Sequence, residues 1–85
     1  MNIKKNEIQP DSALQREVLA REISMGLGDM MNLKYYQLIT KKYPERILRD
    51  IYNHVRLIPQ SQIKKSKGAL FNYLLQKHDK DNHRN

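Results

Sequence analysis

The sequence predicts an all-α fold, a small bundle of about four short helices. Three observations predict it. Apolar residues recur at three- and four-residue intervals over four separate stretches. Alternating runs of the strand type are absent, and β-branched residues are few. Gly26 with Gly28, Pro44 and Pro59 interrupt the chain between those stretches. There is no internal repeat.

Residues 1–10 are polar, end in Pro10 and read as a flexible N-terminal arm. Asp11 or Ser12 can cap a helix that begins at Ala13 and runs to Met25 or Leu27, with Glu17 in an early turn and Arg21 four residues after it. Gly26 and Gly28 supply the φ > 0 positions that end helices. This helix is apolar on two sides. Leu14, Val18 and Met25 form one stripe, while Leu19, Ile23 and Leu27, with Ala20, form another. One side suits the domain's own core, and Leu14, Val18 and Met25 are candidates for an interface with a second chain.

Asp29 or Asn32 can cap a second helix, from Leu33 to Tyr43, whose Leu33, Tyr36, Ile39 and Tyr43 share a face. Tyr43 precedes Pro44, which disfavours the helical region there. Pro44 and Glu45 suit the first turn of a third helix. Ile47, Leu48, Ile51, Tyr52, Val55 and Ile58 fill one broad arc of it, and Pro59 closes it. Residues 59–66 connect, with a short helical turn near Ile63. Ser66 can cap a fourth helix from Lys67 to Lys77, burying Leu70, Phe71, Leu74 and Leu75. The organisation expected is one helical domain over 11–77 and a flexible polar tail over 78–85.

Composition narrows the function classes. The absence of Cys excludes disulfides and leaves no thiolate for zinc, and His54, His78 and His83 lack ligand spacing. Gly26-Leu27-Gly28 is a helix stop, not a nucleotide fingerprint, and no Ser/His/Asp set is evident. The expectation is a protein that is not an enzyme and carries no cofactor or metal. Residues 1–10 hold no apolar leader, and no apolar run approaches the roughly 20 residues of a membrane span. A soluble cytoplasmic protein is expected, without membrane partners.

Charge points to a partner. The net charge is +7, and residues 30–77 alone hold ten basic and two acidic side chains. So concentrated an excess suggests a surface for an anion. Arg46, Arg49, Asn53 and Arg56 fall at i, i+3, i+7 and i+10 of the third helix, a narrow stripe beside the apolar arc. Guanidinium groups there suit successive phosphates, and Asn53 a base edge. An ordinary solvated helix face has the same composition. Lys64, Lys65 and Lys67 lead into a helix N-terminus, where backbone N–H groups favour a phosphate. Gly68 beside them either admits a ligand or packs against another helix. Lys34 and Lys41 lie opposite the apolar face of the second helix. Tyr36, Tyr43 and Tyr52 belong to apolar faces, whereas Tyr35 and Tyr73 sit at face edges, positions open to stacking on unpaired bases.

From Leu48 to Leu75 the chain reads as an amphipathic helix, a short basic connector, then Lys-Ser-Lys-Gly-Ala-Leu-Phe-Asn-Tyr-Leu-Leu. This third of the chain resembles the closing segment of plasmid and phage replication proteins and of helicase-loader-like modules. The resemblance implies helical structure and a place in DNA replication or mobile-element biology, with Lys64, Lys65 and Lys67 as nucleic-acid contacts. The leading expectation is therefore a basic nucleic-acid-binding module, for DNA rather than RNA. Its binding residues would be Lys34, Lys41, Arg46, Arg49, Asn53, Arg56, Lys64, Lys65 and Lys67. The alternative is a protein-interaction adaptor, self-associating or not, that uses Leu14, Val18 and Met25. A membrane-surface amphipathic element ranks third.

Overall fold

The computed structural model describes residues 13–82. The expected arm over 1–10, the caps at Asp11 and Ser12, and the tail beyond Asn82 lie outside the described residues. Four α-helices follow in order: α1 (Ala13–Gly26), α2 (Leu33–Lys42), α3 (Glu45–Arg56) and α4 (Lys67–Asn82). Single 3-10 turns at Met30–Asn32 and Gln60–Gln62 join α1 to α2 and α3 to α4. No strand occurs among the described residues. The fold is the expected all-α bundle.

The helix ends show local chemistry at work. α1 closes in a Schellman arrangement: Asp29 N–H donates to Ser24 O at 2.7 Å and Gly28 N–H to Met25 O at 3.0 Å. Among the described residues Gly28 alone takes a positive φ, of 68°. Gly26 remains helical and has a different task. A Cβ there would lie 2.0 Å from the Tyr52 hydroxyl, so Gly26 makes room for α3. Neither Asp29 nor Asn32 caps a helix through its side chain. Asn32 Nδ2 instead donates to Asp29 Oδ1 at 2.9 Å. Tyr43 is extended (φ −117°, ψ 149°), as a residue before proline should be, and Pro44 occupies the N-cap of α3. Ser66 does cap α4: its Oγ accepts the Ala69 N–H at 3.0 Å.

The core is built from one face of each helix. α1 contributes Leu19, Ala20 and Ile23, with Leu27 just beyond its end, and α2 contributes Tyr36 and Ile39. α3 contributes Leu48, Tyr52 and Val55, and α4 Phe71 and Leu75. Leu33, Tyr43, Ile47, Ile51, Leu70 and Leu74 pack around them. Buried Ser24 and Thr40 satisfy their hydroxyls on backbone carbonyls three residues earlier. The second apolar stripe of α1 is not needed for this core. Leu14, Val18 and Met25 are 72%, 55% and 64% exposed.

α2 reaches α4 through its long side chains, and these contacts advance in the same sense along both helices. The Tyr35 hydroxyl donates to Asn72 Oδ1, Tyr36 meets Phe71 with ring centroids 5.8 Å apart, and the Tyr43 hydroxyl donates to Asp79 Oδ2 at 3.1 Å. The bond to Asp79 explains why α4 continues to Asn82, five residues past the end expected from hydropathy: His78 and Asp79 are half-buried there. On the other side, Glu22 meets Arg49 and Gly26 meets Tyr52, which pairs α1 with α3.

Candidate nucleic-acid interface

The nine candidate residues divide into two groups, and α1 separates the members of the first. Glu17 and Glu22 stand on opposite flanks of α1's exposed stripe. Glu17 faces α2, where Gln37 Nε2 donates to its two carboxylate oxygens at 3.0 and 3.1 Å. Arg21 Nε also donates to Glu17, at 2.6 Å. These bonds, Arg21 first and Gln37 second, hold the Glu17 carboxyl below its usual range, and the charge of Lys41 adds to the effect. Lys34 and Lys41 lie on the exposed outer face of α2.

Glu22 faces α3. It accepts hydrogen bonds from Nη1 and Nη2 of Arg49 at 3.0 and 3.2 Å, while Glu45 accepts from Nη2 at 3.0 Å and Nε at 3.2 Å. Arg49 thus ties α3 to α1. Its guanidinium is held charged chiefly by the bond to Glu22. Arg46 is exposed in the first turn of α3.

The second group gathers where α3 ends and α4 begins. Asn53 Oδ1 accepts from Arg56 Nε at 3.2 Å, and the Arg56 guanidinium lies 5.6 Å from the Tyr52 ring centroid. The Arg56 carbonyl accepts a hydrogen bond from Lys67 Nζ at 3.1 Å, a lysine serving the C-terminal end of α3. Lys64 and Lys65 are exposed immediately before α4. Asn53, Arg56, Lys64, Lys65 and Lys67 therefore share one junction. From Ile51 to His78 the sequence contains no Asp or Glu at all.

An open cleft of about 630 Å³ adjoins this junction, with Ile63, Leu70 and Tyr73 in its lining and Lys64 and Lys65 among them. Tyr73 is 61% exposed. Its position at a face edge of α4 is legible from helical spacing. The apolar surroundings that Ile63 and Leu70 give it are not, because they depend on how the connector folds back. Tyr35, the other edge tyrosine, is half-buried and bonded to Asn72.

Asp29 is the residue that spacing alone does not reveal. Its Oδ2 accepts the Tyr36 hydroxyl at 2.7 Å. A Cβ on Gly68 would meet the same oxygen at 2.3 Å and the Tyr36 hydroxyl at 3.1 Å. Gly68 is buried and packs against another element's side chains. The anion beside the first turn of α4 is thus the chain's own carboxylate, well placed for the helix dipole. Burial, with the Asp29 bond second, pushes the Tyr36 phenol well above its ordinary value.

Among the described residues, no group of three His, Asp or Glu side chains is placed to hold a metal ion, and no helix is long and apolar enough to cross a membrane. Comparison with protein-family models, with curated proteins and with solved structures gave no match to this chain.

Proposed function

We propose that the chain is a small nucleic-acid-binding module that grips its ligand at the α3–α4 junction. One observation carries this reading. Lys64 and Lys65 line an apolar cleft with an exposed tyrosine, Lys67 follows them and reaches the Arg56 carbonyl at the end of α3, and the stretch that holds all four cations is free of acidic residues. The cations neutralise phosphates, and Tyr73 offers a face on which an unpaired base stacks. The cations nearer α1 contribute less, because Glu22 and Glu45 engage Arg49 and Glu17 feels Lys41. DNA is the first ligand to test, and the replication or mobile-element setting rests on the resemblance of Leu48–Leu75 alone.

The test is an anisotropy titration with single-stranded and duplex oligonucleotides. Four neutralised phosphates give a log–log salt slope of about −2.8 to −3.6, so affinity should fall about 50- to 150-fold between 50 and 200 mM salt. K64E/K65E should abolish binding, whereas K34E/K41E should weaken it less. Y73A should cost about 1–3 kcal/mol on single strands and little on duplex. Failure to bind either DNA or RNA at low salt, or binding indifferent to K64E/K65E, overturns the proposal.

A second reading, a protein-interaction adaptor, is favoured by a different observation: the exposed stripe of Leu14, Val18 and Met25. The two surfaces lie on different helices, so each can be tested without the other.

A further inference from the structure

α1 is apolar on the side that faces away from the core. Leu14, Val18 and Met25 fall within about 40° of one another on a helical wheel. They lie opposite buried Leu19, Ala20, Ile23 and Leu27. With Arg21 they occupy i, i+4, i+7 and i+11, the spacing of a coiled-coil seam. Among the described residues no other helix covers this stripe, and Leu14 is 72% exposed.

We propose that a second copy of this chain covers the stripe, with the two α1 helices packed antiparallel about a two-fold axis between Val18 and Arg21. The sequence of α1 is self-complementary about that point. Positions 14 and 25, 18 and 21, and 17 and 22 are equidistant from it. Antiparallel pairing sets Leu14 against the partner's Met25. It sets Val18 against the methylene stem of the partner's Arg21. Arg21 and Glu17 lie on the same edge of the stripe. In the antiparallel pair the partner's Glu17 comes level with Arg21 to within about one residue rise, 1.5 Å. Two symmetry-related Glu–Arg pairs therefore form across the axis.

Parallel packing does the opposite. It places Arg21 against the partner's Arg21 in the seam and the Glu17 edge against the partner's Glu22 edge, so like charges meet. Charge also favours α1 as the contact helix. Its two arginines and two glutamates cancel, whereas the whole chain is +7. Two copies meeting through any strongly basic face would repel. Packing through one face of a 14-residue helix covers less than the roughly 800 Å² per partner of a standard interface. The dimer should accordingly dissociate on dilution through the micromolar range.

Sedimentation equilibrium of the intact chain over a range of concentrations should show a monomer–dimer equilibrium. V18K places two further cations against the partner's Arg21 and should leave a monomer with unchanged helical circular dichroism. R21E alone should weaken the dimer at least tenfold, and E17R/R21E should restore it. Orientation has a separate readout, because the chain contains no Cys. Oxidation of a mixture of L14C and M25C chains should give the mixed disulfide dimer, and L14C alone should give little. A monomer at all concentrations overturns the proposal and leaves the stripe to another occupant. A dimer that V18K does not disturb, or efficient disulfide formation by L14C alone, overturns the interface or its direction. None of these results depends on nucleic-acid binding, and high salt should separate the two, stripping nucleic acid while leaving the dimer.

Discussion

The three glycines look alike in the sequence and serve three different purposes. Gly28 is a backbone requirement, since its φ of 68° suits no side chain well. Gly26 and Gly68 are packing requirements, set by Tyr52 and by Asp29 with Tyr36. The distinction decides what substitution does. On an exposed helix, Gly to Ala gains about 1 kcal/mol. At Gly68 the new methyl must instead displace the Asp29 carboxylate, so G68A should cost about 1–3 kcal/mol in overpacking and broken hydrogen bonding. In a D29A background the space is open, and G68A should be neutral or stabilising. A double-mutant cycle by chemical denaturation measures this coupling. Additive effects would show that Asp29 does not fill the Gly68 site. The contrast also shows what spacing can convey. Helical periodicity places Tyr36 and Phe71 in the core, but Asp29 and Gly68 are 39 positions apart, and only the packing of α4 on the α1–α2 turn unites them.

At the level of elements, α3 is the most legible in the sequence, because its apolar arc is broad and prolines bound it on both sides. α1 is ambiguous, since two apolar stripes compete for one core; Leu19, Ile23 and Leu27 prevail because Gly26 on that turn admits Tyr52. The end of α4 is hidden by its polarity, as its last turns are held through Asp79 rather than through burial of apolar side chains. α2 fastens the two halves by a tyrosine face. Tyr35, Tyr36 and Tyr43 bond to Asn72, Asp29 and Asp79. Burial is the leading cause that raises all three phenols above 10.0. A raised folded-state value means stability that is complete below the unfolded value and lost as pH climbs through the folded one. The protein should therefore hold its stability up to about pH 10 and lose it progressively above. Near-ultraviolet tyrosinate absorbance, unobscured by Trp, should rise at higher pH in the folded chain than in the denatured one. Y36F should shrink that gap. Superimposable folded and denatured titrations would contradict the role assigned to the tyrosine face.

For the whole molecule, the distribution of charge separates structural cations from those without structural employment. Arg49 is bonded to two carboxylates and belongs to the scaffold, though with side chains 38–54% exposed its pairs are worth no more than about 1 kcal/mol. Lys67 serves the end of α3. Lys64 and Lys65 are exposed beside Arg56 and Lys67 in a stretch without acids. Like charges gathered on a chain of net charge +7 oppose folding through self-repulsion. Two consequences of opposite sign follow. K64Q/K65Q should stabilise the fold by a few tenths of a kcal/mol at most, and so raise the thermal midpoint slightly, because it relieves that repulsion. The same change should lower nucleic-acid affinity and reduce the magnitude of the salt slope by about 1.4–1.8, some 0.7–0.9 for each phosphate that is no longer neutralised. R49Q should behave in reverse, destabilising the fold while leaving the salt slope nearly unchanged. Thermal unfolding and oligonucleotide titration of the parent chain and these two variants read both quantities. If K64Q/K65Q lost stability, or if R49Q changed the salt slope as much as K64Q/K65Q did, the division between scaffold and binding cations would be wrong. The basic excess would then be a uniform property of the surface rather than a site.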